Sequence, residues 1–294
     1  MPVTAWVFMG GGLNGRASSA QAVRVHGQGS RPSVFTGESI GAYLAYLTAL
    51  TSPQEVDGMW YGLGASDFYR GGGRLDQVLT LLGARRGFYD CAPGLATLKR
   101  IVGGRRLPAG VQVVVTRCDL KWGVLRQETL TSAVAPDTCC EIVHDSGLVP
   151  VAHGARDARW ADGGVCACAP LGPAVRAGAD HAEVFTLDQP GVEVWRGGSP
   201  LAEGLRAVDV LRDHLTRADL RLTVARNRYP RSGDRQITAR YWCPVDPLPD
   251  WMDAGAAAMA ARQRARYTPR TLDEYADAAE AAYLTALEQS VAGL

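Results

Sequence analysis

Gly37-Glu38-Ser39-Ile40-Gly41 is the segment of this 294-residue chain whose residue types and spacing best suit covalent chemistry. A serine at G-x-S-x-G spacing fits a sharp strand-to-helix turn. The two missing β-carbons let the backbone strain and lift the hydroxyl out of the fold. An apolar run ending at Thr36 precedes it and an apolar helical pattern follows, so the serine would sit at a helix N-terminus, which favours developing negative charge. Upstream, Gly10-Gly11-Gly12-Leu13-Asn14-Gly15 would aim several backbone N–H groups at one place, as a tetrahedral oxyanion requires. Its G-x-G-x-x-G spacing also fits a dinucleotide loop. That reading expects an acidic residue at the end of the second strand, where this chain has the serine turn instead. A P-loop is excluded, because no G-K-S/T occurs.

A nucleophilic serine needs a base. The five histidines (His26, His144, His153, His181 and His214) each read more readily as surface or satisfied rings than as catalytic ones. Asp162, in Ala161-Asp162-Gly163-Gly164-Val165, is the better candidate: its two glycines permit close backbone approach and hold the carboxylate at a turn. Glu38, beside the serine, is expected to face solvent, as glutamate usually does. Seven cysteines at irregular spacing make neither a disulfide framework nor a zinc site, and adjacent Cys139 and Cys140 remain a candidate redox or metal pair.

The elements that must position these residues follow from periodicity. Val3 to Met9 reads as a buried strand running into the glycine loop, Arg16 to Val25 as a small-residue helix, and Pro32 to Thr36 as a second strand. Ile40 to Leu50 is a strongly apolar helix. This strand–helix–strand–helix order is the βαβ grammar of a parallel sheet. Further on, Leu75 to Leu82, Pro93 to Val102, Leu201 to Leu222 and Leu272 to Val291 read as helices. Val111 to Thr116 reads as a strand paired with Val124 to Leu130, and Glu183 to Leu187 and Ile237 to Cys243 as further strands. No repeat or linker stands out, so a single domain over 1–294 is expected.

Composition bounds the function. The net charge is +1, which removes the electrostatic argument for a nucleic-acid partner, and 47% hydrophobic with 21% charged residues rules out wholesale disorder. No apolar run reaches the length of a membrane span, and Met1 to Met9 does not read as a signal peptide, so a cytoplasmic setting, with peripheral membrane contact, is expected. All but Lys99 and Lys121 of the 31 basic residues are arginine. Arg217, Arg221, Arg226, Arg228, Arg231, Arg235 and Arg240, with Tyr229, Tyr241 and Trp242 among them, form a candidate stripe for anionic headgroups.

Taken together, the Gly-Gly-Gly-x-x-Gly loop after the first strand, Gly-x-Ser-x-Gly after the second and Asp-Gly-Gly downstream resemble the patatin-like phospholipase family. Gly87-Phe88-Tyr89-Asp90 and Thr116-Arg117-Cys118-Asp119-Leu120 are similar to further family segments in the same order, and the likeness covers about residues 3–190. It implies a three-layer α/β fold with a central, mostly parallel sheet, and residues 200–294 completing or capping the domain. It also implies a Ser39–Asp162 dyad without metal or cofactor, and an oxyanion hole from Gly10, Gly11 and Gly12. Gly15, Gly37, Gly41, Gly163 and Gly164 would support these motifs. The substrate would be a lipid acyl ester at a membrane surface, cleaved in the manner of a phospholipase A. Asn14 stands where the family loop carries Arg or Lys, and Arg16 is the candidate substitute and headgroup contact, together with Arg226, Arg228 and Arg231. The alternatives are a non-catalytic lipid- or protein-binding module on the same scaffold, an acyltransferase, and a general esterase; a Ser–His–Asp triad is disfavoured because only one strand precedes the elbow strand.

Overall fold

Alternation along the first strand sets the architecture. In β1 (Thr4–Phe8), Trp6 and Phe8 enter one hydrophobic cluster, Ala5 and Val7 enter another, and all four are fully buried. A strand apolar on both faces must lie inside a sheet covered by helices on each side.

The computed structural model describes residues 2–292 apart from 83, 85–86, 151, 154–158, 167–170, 188–199, 231–235 and 250–255; for 77, 81, 200–209, 211–213 and 289–292 it describes the backbone course alone. After β1 come α1 (Gly15–Gly27), β2 (Val34–Gly37), α2 (Ile40–Leu50), α3 (Pro53–Met59), β3 (Arg70–Gly71), α4 (Arg74–Leu81), β4 (Tyr89–Asp90) and α5 (Ala92–Val102). Then follow β5 (Gln112–Asp119), β6 (Val124–Leu130), α6 (Pro136–Asp145), β7 (Trp160–Asp162), α7 (Leu171–Arg176) and β8 (His181–Phe185). The chain continues with α8 (Pro200–Arg228), β9 (Thr238–Pro244), α9 (Ala256–Arg264), β10 (Tyr267–Thr271) and α10 (Leu272–Ala292).

The main sheet runs β10-β9-β8-β1-β2-β5-β6, with β7 also on β5. Strands β9, β8, β1, β2 and β5 are mutually parallel, while β10, β6 and β7 run antiparallel to their neighbours. One face packs on α1, α2, α3, α5 and α6, the other on α7, α8 and α10. This is the expected α/β class, a mostly parallel central sheet flanked by helices. The C-terminal strands β9 and β10 extend that same sheet.

Two features of the order decide where chemistry can sit. The chain moves from β1 to β2 and β5 on one side, then returns to place β8 on the other side of β1. Ligands of open α/β sheets bind beyond the strand C-termini at such a reversal. Secondly, β6 pairs along Val113–Asp119, so β2 (opposite Gln112–Val115) and β7 (opposite Arg117–Asp119) share the other edge of β5. Strand β7 therefore takes up that edge just beyond the end of β2, and Asp162 comes to the corner where the serine turn begins.

The turn after β2 is packed too tightly for side chains. A β-carbon on Gly37 would overlap the Gly41 carbonyl, and one on Gly41 would overlap the Phe8 carbonyl. Backbone cannot yield as a flexible side chain does, so Gly41→Ala should lower stability by about 1–3 kcal/mol in urea unfolding. Gly58, exposed in α3 with nothing within 4 Å of an added β-carbon, is the control. Gly58→Ala should be neutral or stabilising by up to about 1 kcal/mol.

Candidate active site

Ser39 has φ 55° and ψ −133°, and among the described residues it is the one non-glycine with positive φ. Such a conformation costs about 1–3 kcal/mol and persists only where the surroundings over-determine it. Ser39 caps α2, a helix whose first residues Ile40, Gly41 and Ala42 are all buried, while Ser39 itself is half-buried. The elbow read from the sequence is present, with a helix N-terminus behind the serine.

What holds it is a residue the sequence reading passed over. Ser146, fully buried at the C-terminus of α6, accepts the Ser39 N–H on both its carbonyl oxygen (3.1 Å) and its hydroxyl (2.9 Å). Its hydroxyl donates to the Thr116 carbonyl (2.6 Å). The same Ser146 carbonyl also accepts the Gly163 N–H (3.3 Å). One peptide oxygen thus bridges the elbow and the turn that follows Asp162. Helix α6 was absent from the sequence reading. Its signals were Pro136 at the first helical position and Cys139, Cys140 and Val143 at helical spacing.

Asp162 ends β7 and is 4% exposed, with its Oδ1 accepting the Gly164 N–H at 2.7 Å. Gly163 packs against the Thr116 carbonyl, where a β-carbon would overlap it. Arg117 holds this corner from β5. It lies opposite Asp162 in register, stacks on Trp160 (3.5 Å to the ring centroid), and donates to Asp145 and Glu128, each at 2.9 Å. Two residues further along β5, Asp119 accepts from Arg159 (2.8 and 3.1 Å), which holds the Asp119 carboxyl below its ordinary value. The histidine rings meet other groups: His26 meets Gln54, His144 meets Tyr43, His153 meets Gly147 and Val149, His181 meets Thr238 and Glu183, and His214 meets Arg217.

The glycine loop departs from expectation at its first residue. Glu38 is not at the surface: it is 1% exposed, and its Oε1 accepts the Gly10 N–H at 2.8 Å. Gly10 is close-packed on the elbow, since a β-carbon there would lie 2.8 Å from that of Ser39. Gly10 therefore ties the loop to the elbow and its N–H is committed to Glu38. Gly11 and Gly12, the other two glycines expected at the oxyanion hole, are half-buried at the start of a 3-10 turn that runs into α1. Gly15 packs against Ile40 and Leu44, bringing α1 close to α2.

The arginines expected at a lipid surface are placed differently. Arg16 is 6% exposed, with its guanidinium on Gln263 (2.8 Å) and over the Tyr61 ring, so it is an internal tie and not a headgroup contact. The cation that reaches the loop is Arg262 of α9, fully buried and donating to Asn14 Oδ1 at 2.7 Å. Arg228 pairs with Asp273 (3.5 Å) and Arg221 with Glu280, which joins α8 to α10. Tyr241 and Trp242 are buried in β9, so the stripe of arginines and aromatics does not form one surface; Arg226 is exposed, and Arg231 and Arg235 lie outside the described residues. Among the described residues no group of three or more His, Cys, Asp or Glu could hold a metal ion, and no helix is long and apolar enough to cross a membrane.

No family model matches the chain, and no curated protein matches it. Among solved structures, the chain is similar to the crystal structure of VipD from Legionella pneumophila, with a TM-score of 0.44, 12% identity, and coverage of 95% of this chain and 67% of that one.

Ser146→Ala removes the hydroxyl shared by Ser39 and Thr116 but keeps the bridging carbonyl. Leaving buried groups short of a partner should cost about 1–3 kcal/mol in urea unfolding. Ser132→Ala, at an exposed position, should stay within about 0.5 kcal/mol of the parent.

Proposed function

We propose that this protein is a serine acyl-ester hydrolase of the patatin-like kind, acting on lipid esters through Ser39 and Asp162. The observation that carries the reading is the Ser146 carbonyl, which takes the backbone N–H of the strained Ser39 and of Gly163, next to the buried Asp162. Strain stored at a half-exposed serine on a helix N-terminus is what an activated nucleophile requires.

In this reading the Ser39 hydroxyl attacks the ester carbonyl while Asp162 takes its proton. The negative charge that develops on the carbonyl oxygen is met by the Gly11 and Gly12 N–H groups and the α2 N-terminus. Asp162 returns the proton to the departing alcohol, leaving an acyl-serine. It then draws a proton from water, which attacks the acyl group, and gives that proton to the departing Ser39 oxygen as the fatty acid is freed, restoring both residues. Gly10 and Glu38 serve by holding the loop on the elbow.

A lipid acyl group is favoured by the apolar cleft beside the elbow. It is a narrow crevice with a cavity volume of only about 30 Å³, lined by Ile40, Tyr43, Leu47, Trp60, Phe68 and Ile101 among others. Side chains would have to part to admit an acyl chain, and the apolar lining suits an alkyl group better than a polar one. Ile40, the residue after the serine, forms part of the wall.

A fluorophosphonate should label Ser39 covalently, and Ser39→Ala should abolish both labelling and ester hydrolysis. A binding module would stay unlabelled. Asp162→Asn should retain the fold by circular dichroism and lower kcat by about 10²–10⁴-fold; full activity in that variant would remove Asp162 from the mechanism. On 4-nitrophenyl esters, kcat/KM should rise from acetyl to octanoyl. Mass spectrometry of the products from a phosphatidylcholine should find free fatty acid and lysolipid, whereas an acyltransferase would yield a new ester with an added alcohol. Glu38→Gln, which keeps an acceptor for Gly10, should retain most activity, and Glu38→Ala should lose it through kcat more than KM.

A further inference from the structure

The sequence pointed to Cys139 and Cys140 as the pair capable of redox chemistry, but both are buried in α6, and neighbours on a helix project about 100° apart. A different pair meets in space. The sulfurs of Cys118 and Cys166, 48 residues apart in the chain, lie 2.9 Å from one another as free thiols. We propose that Cys118 and Cys166 form a reversible dithiol–disulfide site whose oxidant is a low-molecular-weight disulfide such as oxidised glutathione.

Three features support this. The first is proximity: closure needs the sulfurs to move from 2.9 Å to about 2.05 Å, a shift within side-chain freedom. The second is access. Cys166 is half-buried, so a small disulfide can reach it, whereas Cys118 is 3% exposed and sees Cys166 as its sulfur neighbour. The third is placement. Cys118 lies opposite Ala161 in the β5–β7 ladder, and the Cys166 N–H donates to the Gly163 carbonyl at the end of the 3-10 turn that Asp162 caps. A bond between them would staple the Asp162 turn to β5 from both sides.

The exchange balances without any group from the protein beyond the two thiols. Cys166, as thiolate, attacks one sulfur of oxidised glutathione; the S–S bond of glutathione breaks, one glutathione leaves, and a mixed disulfide remains on Cys166. Cys118 then gives up its proton and attacks the Cys166 sulfur, releasing the second glutathione. Two electrons pass from the protein thiols to glutathione, and the two protons end on the departing thiols. Burial, with Cys166 alongside, pushes the Cys118 thiol up to about 12, so the second step is driven by contact and not by a large thiolate population.

The test is a peptide map of the whole chain after equilibration in glutathione buffers of rising oxidised fraction, with free thiols blocked before digestion. The expected result is a Cys118–Cys166 linked peptide as the main product, removed by dithiothreitol, together with a rise in melting temperature and slower amide exchange at Gly163 to Cys166. Cys118→Ser or Cys166→Ser should lose both the bond and the melting shift; Cys139→Ser and Cys140→Ser should keep both. The proposal is overturned if the main cross-link joins other cysteines, Cys168 included. It is equally overturned if Cys166 stops as a glutathione adduct, or if every thiol stays free at full oxidation. None of these readouts uses ester hydrolysis, so the outcome is independent of the hydrolase reading.

Discussion

The positive φ of Ser39 is the constraint on which the rest of the site depends. A serine in that conformation relaxes unless its neighbours prevent it, and here the restraint comes from several directions. Gly37 and Gly41 let β2, α2 and the Phe8 carbonyl approach without β-carbons between them. Ser146 holds the Ser39 N–H from below, and Glu38 reaches across to the Gly10 N–H. Each such hydrogen bond is worth about 1 kcal/mol net, which offsets part of the cost of the strained residue.

The second half of the site is held by charge. Arg117 is nearly buried, and a buried guanidinium needs carboxylate partners for its charge and a surface for its planar face. Asp145 and Glu128 take its two terminal nitrogens and Trp160 its planar face, while its buried Nε has no hydrogen-bond partner among the described residues. The result ties together the residue before Ser146, an edge strand and the strand that ends in Asp162. Of the three partners, Asp145 is the fully buried carboxylate, and its removal would weaken the corner most.

The C-terminal third also reaches the site. Arg262 comes from α9 to Asn14, 248 residues away in the chain, and sits beneath the glycine loop where Arg16 turns away toward Gln263 and Tyr61. The arginines of α8 meet the carboxylates of α10 and so knit two helices on the opposite face of the sheet. Arginine abundance in this chain therefore has several structural uses, and only the exposed part of it is available to a surface partner.

The fold class was legible in the sequence because hydrophobic periodicity is local. Strand β1, the Ile40–Leu50 helix and the β5–β6 hairpin were all marked by spacing within a dozen residues. The elbow was legible for the same reason, since Gly37, Ser39 and Gly41 are adjacent. What could not be read was anything decided by which distant groups become neighbours. Glu38 read as a solvated carboxylate, because exposure depends on the Gly10 loop folding back onto it. Helix α6 carried a start signal in Pro136 and core spacing in Cys139, Cys140 and Val143, whereas the three-residue β7 is too short for periodicity and is defined by its pairing with β5. The sequence by itself determined a strained serine on a helix N-terminus within a parallel sheet, since turns and periodicity are properties of neighbouring residues. Only the tertiary structure decided which groups restrain that serine, because strand order and long-range hydrogen bonds brought Ser146 to it and joined the Gly163 turn to the same Ser146 carbonyl.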